Sequence, residues 1–416
     1  MTRAPAVVPA ATPAPVSPTG RRYGQLVLVL GALIALGPLT IDMYLPALPS
    51  MADELAASDS AVQLTITGML GGLAVGQLVI GPLSDAFGRR RPLIVGVLTH
   101  GLASLLCAVS PTIEMLSVVR VLQGFAGAAI SVVAMAIVRD LFDGVAMAQL
   151  MSRLMLVIGV APILAPSLGG FVLEWTSWRG IFVVLAGAAA LLILVAVFAV
   201  RETLPVERRR SARLGATLGA YRMLVKDTTF VALVLIAGLM MAALIAYVSG
   251  SSFVLQGAYG LDARTFALVF GANAGGLVLA TQVNPLLLRR FGPAAVLSGA
   301  LLVAIAAAAL LVLAAVTGVG GLVGVLVPLA VIIMTCGLSL PNTPALALTR
   351  HGEAAGTAAA LLGSAQFGVG AVIAPLVGAF GGRSAMPMGV VMLVVTTLAA
   401  GLMFFVVRRD ASVGLR

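Results

Sequence analysis

The chain has 416 residues, 61% of them apolar and 10% charged, with a mean hydropathy of +1.13. Soluble domains carry about a quarter of their residues as Asp, Glu, Lys or Arg, so a water-soluble globular protein is excluded and a polytopic membrane protein is expected. A net charge of +10 would suit a nucleic-acid binder, yet aromatic residues make up only 5% and the bases lie at the ends of apolar runs, where they read as topology signals.

Residues 1–23 begin with a segment rich in Ala, Pro, Thr and Val and are expected to form a disordered cytoplasmic tail ending in Arg21 and Arg22. The apolar run that follows, about 24–46, is longer than the roughly 7–15 residues of a signal-peptide core. It reads as the first membrane span. Further spans are read at about 61–83, 92–110, 115–138, 148–173, 178–200, 230–254, 265–288, 294–316, 320–348, 355–380 and 385–407, twelve in all. The charged segment 201–229 divides them six and six, as a linker between halves 24–200 and 230–407, with 408–416 as a closing tail. With both termini cytoplasmic, 21 of the 25 bases fall inside, only Arg179, Arg264 and Arg383 fall outside, and Arg120 lies within a span. That asymmetry supports the orientation.

Two acids stand out by their positions. Asp42 is the only acid within the first span, in Gly37-Pro38-Leu39-Thr40-Ile41-Asp42-Met43-Tyr44-Leu45-Pro46. A carboxylate in that setting persists when it faces a cavity, has a partner or takes a proton. Span one ends near Pro46 and span four begins near Met115, so Asp42 and Arg120 lie at similar depth, about 6–8 Å, and are expected to pair. Asp85 sits between spans two and three in Gly81-Pro82-Leu83-Ser84-Asp85-Ala86-Phe87-Gly88-Arg89-Arg90-Arg91-Pro92. Gly81 and Gly88 permit positive φ, and three arginines fix the hairpin inside. Asp85 is expected to bond Arg139 or the helix start near Ala354 and so to hold an inner gate, with Asp140 as the reserve proton acceptor should Asp42 not serve. The stretch Pro285 to Gly292, with Arg289 and Arg290, echoes this hairpin between spans eight and nine without an acid.

Polar groups expected in a cavity between the halves are Tyr44, Gln63, Gln123, Tyr247, Asn273, Asn342 and Gln366. Span five carries Pro162, Pro166, Gly169 and Gly170, and span four Gly124, Gly127 and Ala128 beside Arg120. No set of residues here suits a metal cluster or a nucleophile with its base, and the sole lysine, Lys226, follows Val225 rather than a phosphate-binding glycine. An enzyme or an ATP-driven pump is therefore not expected.

The hairpin residues Gly81, Leu83, Asp85, Gly88, Arg89, Arg90 and Leu93 resemble the signature G-x-L-x-D-x-x-G-R-[RK]-x-x-L of the major facilitator superfamily, and the fourth span resembles its fourth-helix motif. Ala-Pro-Ile-Leu-Ala-Pro-Ser-Leu-Gly-Gly in span five is similar to the antiporter motif G-x-x-x-G-P-x-x-G-G, with Ala161 and Ala165 in place of its first two glycines. Asp42 to Pro49, Arg139-Asp140, Ala165-Pro166, Trp178 to Phe182 and Gly356 to Ala360 together resemble the bicyclomycin and chloramphenicol resistance branch. The resemblance implies an all-α fold of two six-helix bundles in the bacterial cytoplasmic membrane. It further implies proton-coupled export of small amphipathic drugs by a monomer without a cofactor, with Asp42 and Arg120 in coupling and Gly81, Asp85, Gly88, Arg89, Arg90, Arg139, Pro162, Pro166, Gly169 and Gly170 in conformational change. The alternative is a proton-coupled uptake carrier or uniporter of the same fold.

Overall fold

The structure, a computed structural model, describes residues 20–209, 219, 221–349, 351, 355–379 and 384–410. Twelve helical stretches among them are long and apolar enough to cross a bilayer. In chain order, α1 is Gly20–Asp42, α2 Leu48–Glu54, α3 Asp59–Phe87, α4 Arg90–Ala108, α5 Ile113–Leu141, α6 Gly144–Leu173 and α7 Trp178–Ala199. Then follow α8 Thr228–Ser252, α9 Ala263–Phe291, α10 Pro293–Thr317, α11 Gly321–Leu348, α12 Ala355–Ala379 and α13 Met386–Phe405.

Local chemistry sets several of these boundaries. The side chains of Ser58, Thr112, Asp227 and Asp262 accept N–H groups from the first turns of α3, α5, α8 and α9. The hairpin is tighter than a six-residue loop: α3 continues through Phe87 and only Gly88 and Arg89 separate it from α4. Gly88 takes φ 86° and ψ 173°, and Gly292, between α9 and α10, repeats it at 73° and 164°. Gly81, expected to share this freedom, lies inside α3 with ordinary helical backbone instead.

The first span is also not a single helix. Pro46 cannot donate to the Asp42 carbonyl four residues earlier, and its ring would clash with that carbonyl in a continuous helix. The α-helix accordingly stops at Asp42, turns at Met43 and Tyr44, and resumes as a 3-10 turn over Leu45–Ala47 and then α2.

The helices pack in two groups, α1 to α7 and α8 to α13, joined mainly by α3 on α12 and α6 on α9. Within the first group α3 and α5 nearly touch: a Cβ at Gly72 would collide with the Val121 carbonyl, and one at Gly124 with that of Met69. The turn at Gly88 defines a hairpin face, which also holds the segment after α7, and the opposite ends form the far face.

Side-chain hydrogen bonds between helices of the two groups, among the described residues, lie toward the far face. Gln63 Nε2 donates to the Ser249 carbonyl at 3.1 Å and Thr67 Oγ1 to that of Ala371 at 3.0 Å. Ser252 Oγ donates to the Leu45 carbonyl at 2.7 Å and Gln256 Nε2 to that of Pro46 at 3.2 Å. On the other seam Gly271 of α9 packs on the Ile163 carbonyl of α6.

Candidate functional site at the break in the first span

Residues 36, 40 and 44 follow one another at intervals of four, so in a helix they share a face, and residue 42 is turned about 200° from residue 40. Both faces are used. Thr40 Oγ1 donates to the Leu36 carbonyl at 2.6 Å, so its single proton is committed and His100 Nε2, 3.0 Å away, must be the donor to it. Tyr44 lies fully buried with its hydroxyl 3.2 Å from Thr65 Oγ1, whose own proton goes to the Val62 carbonyl.

Arg120 serves this face of α1. Its Nη1 donates to the Thr40 carbonyl at 3.2 Å and to Gln123 Oε1 at 2.7 Å, its Nε to the Thr65 carbonyl at 3.5 Å, and its guanidinium lies 4.4 Å from the centre of the Tyr44 ring. Gln123 passes the chain on to Ser104 Oγ at 2.8 Å. Arg120 thus ties α1, α3 and α5 together from within the first bundle.

The expected Asp42–Arg120 pair is not formed. Depth along the membrane normal does not decide whether two side chains meet; the angle about the helix axis also counts, and Arg120 approaches the 40/44 side. Asp42 is 6% exposed and has no hydrogen bond or ion pair among the described residues. Tyr247 accepts from Asn273 Nδ2 at 3.0 Å and stacks on Phe270, with ring centres 5.0 Å apart. Tyr247 and Asn273 therefore form a polar pair within the second bundle.

The other polar residues divide into two kinds. Gln123 is enclosed within the first bundle, and Asn342 within the second, where its Nδ2 donates to Asn284 Oδ1 at 2.8 Å. These two are interhelical bonds rather than cavity groups. Gln63 lies in the far-face seam. Gln366 is half-buried with no side-chain hydrogen bond among the described residues, and Gln77, which the sequence reading omitted, lies against Gly363 across the α3–α12 seam.

In α6 the helix is unbroken through Pro162 and Pro166. Gly169 is where α6 meets the break in the first span: a Cβ there would collide with the Met43 carbonyl, while Gly170 turns toward the Ala263 carbonyl of α9.

On the hairpin face the partners also differ from those expected. Asp85 accepts from Arg89 Nη1 at 2.6 Å within its own hairpin, whereas Arg139 is exposed and pairs with no acid among the described residues; Ala354 lies outside those residues. The clasp to α5 is instead Arg89 Nε to Asp140 Oδ2 at 2.9 Å. Arg139 points to solvent because its neighbour Asp140, about 100° round the helix, occupies the side toward the hairpin.

Glu202 completes the cluster. It accepts the N–H of Arg89 at 2.8 Å and of Arg90 at 3.2 Å, capping α4, and Arg90 Nη2 donates to the Val197 carbonyl at 2.7 Å. Burial works against the Glu202 charge, but the N–H groups of Arg89, Leu204 and Arg90, with Arg209 nearby, outweigh it and hold the carboxyl below its ordinary range.

The model of the Major Facilitator Superfamily matches residues 28–375. This chain belongs to that superfamily. Among relatives of this facilitator, an uncharacterized MFS-type transporter, YdgK of Bacillus subtilis, is 39% identical over 394 residues, covering 94% of this chain and 96% of its own. A bicyclomycin resistance protein homolog of Haemophilus influenzae is 32% identical, with 87% and 91% covered. Multidrug resistance protein MdtL of Klebsiella pneumoniae is 30% identical, with 63% and 66% covered. The facilitator fold itself appears in the solved structure of a bacterial homolog to the human lysosomal transporter Spinster, inward-facing and unoccupied, at TM-score 0.77 and 16% identity over 95% of this chain and 99% of that one. The chain is thus a multi-pass membrane transporter, not an enzyme, and its partners are small molecules and the bilayer.

The sequence reading missed a clamp on the facilitator's far face. Glu54 at the end of α2 accepts Trp178 Nε1 at 2.7 Å and is paired with Arg179, whose Nη2 also donates to the Ser110 carbonyl at 3.2 Å. The signal was present as Trp178-Arg179 opening a span, but its acid lies 124 positions away.

Proposed function

We propose that this facilitator exports small amphipathic drugs from the cytoplasm in exchange for protons, working as a monomer without a cofactor. The observation that carries the reading is Asp42: a buried acid with no fixed counter-charge among the described residues, at the end of a broken helix. An acid embedded at such depth is retained where it meets a cavity or exchanges a proton. The resistance proteins among its relatives support drugs as the cargo, with bicyclomycin-like and chloramphenicol-like compounds as first candidates.

The excess of arginine at the hairpin face supports a cytoplasmic position for that face and for both termini. The four side-chain hydrogen bonds between the bundles lie at the opposite end, which supports a transport path open to the cytoplasm in this state. Drug enters from there, and closure on the cytoplasmic side with release of the far-face contacts exposes it outward. Asp42 gives its proton to the cytoplasm as drug binds and takes one from outside after drug leaves. Arg120 does not hold the Asp42 charge in this scheme. It fixes the side of α1 opposite Asp42, so that the carboxyl keeps its aim.

The test is transport by purified protein in vesicles under an imposed pH gradient. Asp42→Asn should abolish uphill drug movement while sparing downhill exchange. Unchanged accumulation in that variant would place the proton site elsewhere, Asp140 being the next to replace. Drug accumulation in cells with and without an uncoupler separates export from the uptake carrier or uniporter.

A further inference from the structure

A groove of about 550 Å³ runs along the membrane-facing side of the second bundle, lined by Leu235 and Leu239 of α8, Val369 of α12, and Leu398, Gly401, Leu402 and Phe405 of α13. It lies well away from Asp42, Tyr247 and Asn273. Its volume falls in the range of small-molecule sites, roughly 300–1,000 Å³, but such sites carry a few polar groups that orient the ligand. This groove offers none: its sole polar side chain, Thr397, already donates its hydroxyl to the Leu393 carbonyl at 2.7 Å. Hydrocarbon alone is matched here.

Charge is concentrated at one end. The 3-10 turn Val407–Arg409 follows the groove directly, with the Arg409 guanidinium 5.8 Å from the centre of the Phe405 ring and that of Arg408 5.1 Å from that of Phe404. Both arginines are exposed, and neither pairs with an acid among the described residues. Asp410 accepts the Thr229 hydroxyl at 2.7 Å, which pins this basic turn beside the start of α8 and hence beside exposed Lys226. Guanidinium groups set over aromatic rings at the end of a span mark the level of the lipid headgroups.

We propose that this groove is a binding site for an anionic phospholipid of the leaflet on the hairpin side, one acyl chain lying along α8, α12 and α13 and the phosphate held by Arg408 and Arg409. An apolar channel with no free polar side chain selects the chain, and two guanidinium groups at its mouth that pair with no acid among the described residues select the negative headgroup. The site is independent of what the facilitator carries.

Native mass spectrometry of the full-length protein, released from nanodiscs of phosphatidylglycerol and phosphatidylcholine in equal amounts, tests it. At about fivefold per arginine near a membrane surface, the pair should favour retained phosphatidylglycerol by roughly 25-fold. Arg408→Gln with Arg409→Gln, both on exposed residues, should remove most of that preference. Gly401→Leu should reduce retention of both lipids, because a Cβ at Gly401 meets nothing within 4 Å and a larger side chain would fill the groove. Equal retention of the two lipids by the unaltered protein would overturn the proposal, as would a preference for phosphatidylglycerol that survives the double arginine variant. Inorganic phosphate displacing the lipid at millimolar concentration would show that the arginines bind the free anion and that the groove contributes nothing.

Discussion

Arg120 and Asp42 sit on opposite sides of the same stretch of α1: the guanidinium grips the Thr40 carbonyl and covers the Tyr44 ring, and the Asp42 carboxyl, about 200° round the helix from Thr40, has no hydrogen bond or ion pair among the described residues. Their substitutions should therefore fail differently. Arg120→Ala leaves Gln123 Oε1 short of its strongest donor inside the bundle, at a cost of about 1–3 kcal/mol, with lost ring stacking added to it. Thermal unfolding in detergent should fall for Arg120→Ala and stay near the parent for Asp42→Asn. A matched loss of stability in both would mean that the two residues act as a pair after all.

The hairpin gives a second contrast. The Asp85 side chain is 46% exposed and its pair with Arg89 joins residues only four positions apart, so it contributes at most about 1 kcal/mol. Asp140 is 19% exposed, and it receives both Arg89 and the Thr203 hydroxyl at 2.9 Å. Asp140→Asn should loosen the hairpin more than Asp85→Asn. Spin labels on the exposed Arg139 and Phe87 would register the difference as broadened distances.

Glu202 predicts a pH response. Its carboxyl is held below the ordinary value of 4.5, so the stability it lends to the start of α4 is fully present above that value and is lost as pH falls through its folded value. Hydrogen exchange at the Arg89 and Arg90 amides should accelerate, relative to intrinsic rates, in the acid range below about pH 4.5. Glu202→Gln should exchange fast at every pH. Protection of those amides that does not change with pH in the parent protein would remove Glu202 as the cap.

Gly169 is predicted to tolerate no side chain. Gly169→Ala drives a Cβ into the Met43 carbonyl next to the helix break, and forcing the backbone apart costs about 1–3 kcal/mol. Transport should drop with stability. Gly170→Ala, where the nearest atom is the Ala263 carbonyl at 3.9 Å, should be close to neutral, and equal damage at both positions would argue against a local collision.

The far-face contacts make a final prediction about access. Gln256→Ala removes the bonds to the Pro46 carbonyl and to Ser252 without touching the first bundle's interior. It should raise labelling of a cysteine placed at Gln63 by a reagent added on the far side. Labelling equal to the parent's would mean that these bonds do not hold the far face shut.

Twelve spans could be read from the sequence because bilayer thickness sets a minimum apolar length, and the Gly88 turn because a glycine ends α3 before a run of arginines. The break after Asp42 was legible too, in the proline four residues on, but the reading treated Pro46 as the end of a span. The Asp42–Arg120 pairing failed because an argument from depth leaves out the angle about the helix axis. Gln123 and Asn342 were assigned to a cavity because a lone amide in an apolar run looks the same whether it meets a ligand or a neighbouring helix; only the placement of Ser104 and Asn284 tells them apart. Glu54 and Trp178 were out of reach for a simpler reason: nothing local in either segment names the other.

Because Thr40 and Tyr44 are both fastened to the first bundle, α1 cannot turn about its own axis without breaking bonds to His100, Thr65 and Arg120. In the proposed exchange, a proton gained or lost at Asp42 would thus have no private motion available to it. Whatever displacement followed would be shared by all of α1 to α7, so that one carboxyl group would have the leverage of an entire half of the molecule.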